Sequence, residues 1–182
     1  QDAPASQYAA RKSMLITVAG GLFMLVGFVI LHDVAGGVPG VESAYRLSGE
    51  GSMLRHADAM VDALRAQGLF VPVLLLVGLG AATKSAQVPF HVWLPNAMEA
   101  PTPVSAFLHS ATMVKAGVYL VGRFRPLFFT DEWTLVFATL GLGTMTVAAV
   151  LAVAASDIKE LLAYSTASHL GLIVAGYGMS SY

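Results

Sequence analysis

The chain contains no cysteine and few charged residues. Without cysteine, disulfide bonds, thiolate zinc sites, iron–sulfur ligation and cysteine nucleophiles are excluded within this chain. Charged residues make up only 12% of the 182 positions, and ten Lys and Arg against eleven Asp and Glu give a formal charge of −1. No overall basic surface is therefore available for a nucleic-acid backbone, and we expect no nucleic-acid partner. Apolar residues, by contrast, reach 56%, above the soluble average of about 45–50%, which predicts a membrane protein.

Long apolar runs predict several membrane-spanning helices. A span needs about 20 largely apolar residues, because a helix rises about 1.5 Å per residue and the hydrocarbon core is about 30 Å thick. Four stretches meet this requirement: residues 14–31, 103–122, 133–155 and 158–179. Residues 32–68 are richer in glycine and in mixed charge, and we expect them to form an extramembrane loop.

A further apolar stretch, residues 69–98, contains Lys84 and Pro89 and cannot be one straight span. Pro89 has no backbone N–H to donate to the carbonyl group of Ser85, and its ring crowds that turn. We therefore expect a discontinuous transmembrane helix that breaks between Lys84 and Pro89. The predicted fold is an all-α membrane protein, a multi-span helix bundle with one broken helix.

The two ends of the sequence bear on domain organisation. The first residue is Gln1 rather than Met, and Tyr182 directly follows an apolar run. We expect residues 1–182 to form a single membrane domain that is a fragment of a larger subunit.

Ionisable side chains inside the predicted spans are the strongest functional signal. A charge at the bilayer centre costs at least about 2.5–3.5 kcal/mol, so such groups normally face a hydrated cavity or a partner and mark ion or proton paths. Lys84 lies about 22 Å along the helix from Leu69 and is the leading proton site; alternatively, its ammonium group reaches the interface. His109 lies in the next span and either relays protons through its ring nitrogens or is a hydrogen-bonded packing residue.

Two more ionisable groups, Lys115 and His169, also fall inside predicted spans. Lys115 is about 120° around the helix from His109, so the two do not share a face. It serves either as a structural counter-charge or in transport. His169 shares one side of the last helix with Ser165 and Ser168, which forms either a hydrated stripe or ordinary polar contacts between helices.

Glu99 and Lys159 are expected near the membrane boundary. Glu99 either collects a cation or contacts solvent. Lys159 falls in the first turn of the last helix, where the positive end of the helix dipole disfavours a cation. A nearby acid, a transport role or simple solvation would offset that placement. No catalytic residue, metal-ligand set or cofactor is expected.

Two segments resemble a known family. The run from Lys84 to Tyr119 reads KSAQVPFHVWLPNAMEAPTPVSAFLHSATMVKAGVY and resembles the signature of the antiporter-like subunits shared by respiratory complex I and Mrp-type cation/proton antiporters. The run DIKELLAYSTASHLG from Asp157 extends the likeness. Within the family, the stretches NAMEA and MVKAG most resemble the large A-type subunits of Mrp sodium/proton antiporters.

The resemblance implies a fold of inverted five-helix repeats, each with a discontinuous helix. This chain would hold the end of the first repeat and the start of the second. Lys84 matches the broken-helix lysine of the family, and His109 matches the histidine of the following helix. Relatives pair that lysine with a glutamate on an earlier helix and pass protons toward a second lysine on a later one; neither matches a residue here. His169 departs from the family, in which this position is usually glutamine.

The function implied is the proton-translocating part of a multisubunit Na⁺/H⁺ antiporter in a bacterial cytoplasmic membrane. It would be a secondary transporter component rather than an enzyme, and its partners would be other subunits of the complex, the lipid bilayer, protons and Na⁺. The alternative is the proton-pumping membrane subunit of a complex I-like NADH:quinone oxidoreductase, against which Glu99 and Lys115 argue. A purely structural scaffold is the third possibility, and it predicts that Lys84→Leu is harmless.

Overall fold

The computed structural model describes residues 4–43, 45–103, 105 and 113–179. These residues form α-helices and no strand, apart from an isolated bridge between Ser43 and Ser52. The prediction of an all-α fold is therefore confirmed for them. The helices are α1 (Pro4–Ala35), α2 (Ala57–Ala66), α3 (Phe70–Lys84), α4 (Trp93–Asn96), α5 (Met113–Phe128), α6 (Asp131–Ala154) and α7 (Ile158–Met179), and two 3₁₀ turns, Phe90–Val92 and Ala97–Glu99, flank α4.

Two of the described helices, α1 and α6, are long and apolar enough to cross a membrane. A third crossing is counted if α2 and α3, which meet at 114°, are treated as one span. The sequence predicted more uninterrupted spans than this. The difference arises because α5 is described only from Met113, and because Ser, Thr and His side chains make α7 more polar than α6.

The helices run between two ends of the bundle. At the first, which we call the N-terminal end, the start of α1 and the segment 96–100 line a common cavity, and Lys159 at the start of α7 donates a hydrogen bond to the carbonyl oxygen of Met98. At the second, which we call the loop end, Arg65 of α2 pairs with Glu132 of α6 at 3.2 Å. Arg123 of α5 also donates to a loop carbonyl there.

Glycines let α6 and α7 pack at very short range. A Cβ atom on Gly141 would overlap the backbone nitrogen of Ala175, and one on Gly178 would lie 2.5 Å from the nitrogen of Ala138. Gly143, on another side of α6, has nothing within 4 Å of such an atom. Small residues at these positions bring the two backbones together, as is usual for helix pairs in membranes.

Glycines also let α1 pack closely against α3. A Cβ atom on Gly80 would overlap the Cβ atom of Met24, and one on Gly20 would overlap the side chain of Thr83. Thr83 is the residue before the last one of α3, so α1 packs against the end of that helix.

Candidate functional site

Helix α3 ends at Lys84, five positions before Pro89. The backbone N–H and the hydroxyl group of Ser85 both donate to the carbonyl oxygen of Ala81, at 2.9 and 2.7 Å. The N–H of Gln87 donates to the carbonyl oxygen of Ala82 at 2.9 Å. A bond of this kind typically closes a helix when the residue before the donor has a left-handed conformation. Here that residue is Ala86, with φ of +51°, at a position where glycine is more usual. Lys84 thus occupies the last turn of α3.

The chain then runs through residues 85–92, which we call the linker segment, before α4 begins. Neighbouring elements fix this segment at both ends. The indole N–H of Trp93 donates to the carbonyl oxygen of Thr83 at 2.9 Å, and the hydroxyl group of Ser13 in α1 donates to the carbonyl oxygen of Trp93 at 3.3 Å. In the middle, the N–H of Val88 donates to the hydroxyl oxygen of Thr144 in α6 at 3.0 Å. The Val88–Pro89 peptide bond is cis.

The linker segment also buries polar atoms. Gln87 has no exposed surface, and its amide nitrogen donates to the carbonyl oxygen of Ser85 at 3.0 Å. Its amide oxygen and the Nδ1 atom of His91 have no hydrogen-bond partner among the described residues. A buried polar atom left unpaired costs about 1–3 kcal/mol. The linker segment therefore places two unpaired polar atoms among apolar helices.

Helix α5 packs directly against the last turn of α3. A Cβ atom on Gly117 would overlap the carbonyl oxygen of Ala81 and lie 3.0 Å from the backbone nitrogen of Ser85. Lys84 is half-buried beside this contact, whereas Lys115, near the start of the described part of α5, is exposed. His109, the predicted relay partner of Lys84, lies outside the described residues.

A polar cavity of about 470 Å³ opens at the N-terminal end of the bundle. Two predicted site residues, Glu99 and Lys159, are brought together in its wall, whereas Lys84 and His169 are not among its lining residues. The ammonium group of Lys159 donates to the carbonyl oxygens of Met98 at 3.3 Å and Ala100 at 3.5 Å. The lining residues are Pro95, Asn96, Met98, Glu99, Asp157, Lys159 and Glu160. No group of acidic or histidine side chains within the described ranges is arranged to hold a metal ion.

The two remaining candidates, His169 and Pro89, are exposed. The Nδ1 atom of His169 lies 2.7 Å from the carbonyl oxygen of Ser165 on its own helix. Its neighbour Ser168 donates to the carbonyl oxygen of Met145 in α6 at 3.0 Å, which is a contact between helices.

Two side chains outside the predicted site residues hold this region: Thr144 bonds to the linker segment, and Trp93, which follows it, bonds to the end of α3. Both are at most 2% exposed. Thr144 could have been noticed as a threonine within an uncharged apolar run. The run does not identify its partner, however, because Val88 lies 56 positions away.

Comparison with known proteins gives a consistent result. A family described as NADH:quinone oxidoreductase/Mrp antiporter, TM matches residues 1–182. The chain is 46% identical over 177 residues to the A-type subunit of the Na(+)/H(+) antiporter of Bacillus subtilis, and it covers 20% of that protein. It is 49% identical over 177 residues to the corresponding antiporter subunit of Alkalihalophilus pseudofirmus. In both alignments 97% of this chain is covered, so the chain spans about a fifth of the length of these relatives.

A solved structure agrees with these sequence comparisons. The chain superposes with a TM-score of 0.78 and 39% identity on one chain in the structure of the Mrp complex from Dietzia sp. DQ12-45-1b. The match covers 98% of this chain and 18% of the other. The chain therefore belongs to the family of membrane proteins that comprises the antiporter-like subunits of NADH:quinone oxidoreductases and Mrp antiporters.

Proposed function

We propose that this chain is the proton-translocating part of one subunit of a multisubunit Na⁺/H⁺ antiporter, and that Lys84 and His109 relay the protons. One observation carries the proposal. Lys84 is half-buried in the last turn of α3, and in the part of the chain that the structure describes no carboxylate lies within 4.0 Å of its ammonium group. An ammonium group in that position needs a partner or water, as intramembrane charges generally do.

The position of Lys84 suits a cation beside water. The carbonyl groups at the end of α3 present the negative end of the helix dipole, which stabilises an ammonium group by about 0.3–1 kcal/mol. Charged groups within a membrane normally face water or a partner group and mark ion or proton paths. We therefore propose that the side chain of Lys84 lies on a hydrated path.

We further propose that α3, the linker segment and α4 form one discontinuous transmembrane helix within an inverted-repeat fold. Helix α3 begins at the loop end, where the ring of Phe70 lies 5.7 Å from that of Phe128. The segment 96–100 lies at the N-terminal end. The chain from Phe70 to Ala100 thus passes from one end of the bundle to the other, which supports a span interrupted at Lys84.

The polar cavity of about 470 Å³ at the N-terminal end is proposed as an accessory part of the ion path. Glu99 and Lys159 both line it, and Glu99 is exposed there, so an incoming cation meets a carboxylate at the surface. Lys115 and His169 remain proposed accessory groups on α5 and α7.

Sodium is proposed as the exchanged cation because the two relatives reported above are named as Na(+)/H(+) antiporter subunits. The whole protein is then a multi-pass transporter component of a bacterial cytoplasmic membrane, assembled with the other subunits of an Mrp-type complex, and not an enzyme.

Because the matching family also includes NADH:quinone oxidoreductases, a redox-driven pump is the second candidate. NADH oxidation and a bound flavin in the purified native assembly would identify the pump.

The test of the relay is Lys84→Ala in the full-length subunit within its complex. We expect proton-coupled sodium exchange in everted vesicles to be abolished while assembly is unchanged, because alanine removes the group that carries the proton. Lys12→Ala is the matched control, since Lys12 is a half-buried lysine at the N-terminal end and its loss should leave exchange intact. Normal exchange in vesicles that carry Lys84→Ala or Lys84→Leu would refute the relay and favour the scaffold.

A further inference from the structure

Thr144 lies at the centre of α6 and faces the linker segment. It has no exposed surface. Its hydroxyl group donates to the carbonyl oxygen of Leu140 at 2.7 Å and accepts a hydrogen bond from the N–H of Val88 at 3.0 Å. A hydroxyl group can donate one hydrogen bond while it accepts another, so both bonds exist together.

The bond to Val88 replaces one that a helix would otherwise supply. Where α3 ends, the N–H groups that follow lose their regular partners four residues back. Ser85 keeps its regular acceptor, the carbonyl oxygen of Ala81, and Gln87 bonds to that of Ala82 in α3, whereas Val88 finds its acceptor on α6. The next residue, Pro89, has no N–H to donate. Thr144 thus holds the middle of the linker segment from outside α3.

We propose that Thr144 is a positioning residue for the proton relay: it holds the linker segment through the N–H of Val88 and so fixes the direction in which the Lys84 side chain leaves α3. This inference rests on the proposed function. Lys84 is separated from Val88 by three residues, and the turn between them is closed by the bond from Gln87 to Ala82. We therefore expect a shift of Val88 to move the last turn of α3, to which Lys84 belongs.

The chain offers a matched control on the same helix. Thr146 is exposed, and its hydroxyl group bonds to the carbonyl oxygens of Leu142 at 2.9 Å and Gly143 at 3.0 Å, both on α6. Thr146→Val therefore removes a hydroxyl group of the same kind without touching the linker segment. Thr144→Ser keeps the hydroxyl group and removes only a methyl group.

The experiment compares these variants in the full-length subunit, purified within its complex and reconstituted into vesicles. For Thr144→Val, we expect sodium/proton exchange per assembled complex to fall about tenfold, as the loss of one buried hydrogen bond implies. Thr144→Ser and Thr146→Val should retain exchange. Hydrogen–deuterium exchange at the backbone of residues 85–92 should be faster in Thr144→Val alone, because the N–H of Val88 loses its acceptor.

Several outcomes would overturn the inference. Normal transport by Thr144→Val together with faster hydrogen exchange would show that the bond exists and has no role in positioning. An equal loss in Thr144→Ser or Thr146→Val would point to a general effect on α6. If Thr144→Val does not assemble, Thr144→Ala replaces it, and normal transport by that variant overturns the inference. Loss of exchange in Lys84→Ala with normal exchange in Thr144→Val rejects the role of Thr144 and leaves the relay standing.

Discussion

The side chain of Lys159 donates hydrogen bonds to backbone carbonyl groups outside its own helix. It lies in the first turn of α7, where the helix dipole disfavours a cation. Its ammonium group nevertheless reaches the carbonyl oxygens of Met98 and Ala100, which belong to the last 3₁₀ turn and its end. Two charge-assisted hydrogen bonds to carbonyl groups offset the unfavourable dipole. The side chain thereby links the start of α7 to the segment that follows the linker segment and α4.

Replacement of Lys159 by methionine should therefore destabilise the protein. Methionine keeps the length of the stem and removes the donors, so we expect a loss of up to about 1.5–3 kcal/mol, the range for hydrogen bonds to charged groups. Thermal unfolding of the purified full-length protein in detergent measures this loss. Lys12→Met is the control, because the ammonium group of Lys12 lies 5.8 Å from the centre of the Tyr8 ring and donates to no backbone carbonyl group among the described residues. Equal shifts of the unfolding midpoint in both variants would contradict the assignment.

Single residues differ in how well the sequence reveals them. Lys84 stood out because an ammonium group within an apolar run is costly wherever the chain folds. Thr144 and Trp93 did not, because a hydroxyl or indole group in such a run is common and its meaning depends on which backbone group lies opposite. The partner of Thr144 is 56 positions away, so helix packing alone decides the contact. The geometry between Lys84 and His109 stays a prediction.

At the scale of helices, the interface between α6 and α7 depends on glycine. Gly141 and Gly171 face each other: a Cβ atom on Gly141 would lie 2.6 Å from the carbonyl oxygen of Gly171, and one on Gly171 would lie 2.8 Å from that of Gly141. No side chain fits between backbones at that separation. The hydrogen bond from Ser168 to Met145 fixes the register of the same pair.

This interface provides a prediction with an internal control. Gly141→Ala should push α7 away and lower the unfolding free energy by about 1–3 kcal/mol, the usual cost of overpacking. Gly143→Ala, two positions along the same helix, should be neutral or stabilising by up to about 1 kcal/mol, since nothing lies within 4 Å of the added atom and alanine favours the helix. Thermal unfolding of both variants in the same detergent compares them, and equal destabilisation would contradict the packing described.

The bounds of α6 and α7 can be compared with the spans predicted from the apolar runs. The predicted ranges 133–155 and 158–179 compare with observed bounds of Asp131–Ala154 and Ile158–Met179. Thr130 accepts a hydrogen bond from the N–H of Trp133 at the first of these starts. For the first helix, by contrast, the apolar run 14–31 marks the part suited to lipid, whereas the helix begins at Pro4, because the polar residues before Met14 are also compatible with a helix.

At the scale of the whole molecule, the described chain has two polar ends joined by apolar helices. Arg11, Asp157 and Glu160 lie at the N-terminal end, and Arg65 and Glu132 lie at the loop end. The outer faces of α1 and α6 are exposed and apolar along their length, for example at Leu22 and Val150. Such faces suit lipid or further apolar helices.

Cysteine labelling tests this arrangement. In a cysteine-free background of the full-length protein, Gln7→Cys and Asp157→Cys should react with an impermeant thiol reagent from one side of the membrane. Gly37→Cys and Asp62→Cys should react from the other side. All four positions are exposed, whereas Ala148→Cys, at a fully buried position in α6, should not react from either side. Reaction of the Gln7 and Gly37 variants from the same side would mean that α1 does not cross.

The sequence predicted the family and the all-α class because long runs and a long signature carry that information. The relation between the two ends was not predictable from it. The bond from Lys159 to Met98 joins residues 61 positions apart, and the pair of Arg65 and Glu132 joins residues 67 apart. Whether a single broken helix lies between those ends is still a proposal.

The short turn between α6 and α7 has a consequence for biosynthesis. Helix α6 is long and apolar enough to cross a membrane, whereas α7 carries a histidine and several hydroxyl side chains, each of which makes insertion less favourable. Residues 155–157 are all that separate the two helices, and their glycine faces fit directly against each other. The second helix is therefore expected to leave the translocon together with the first as a hairpin, its polar atoms shielded from lipid before the rest of the bundle closes around them.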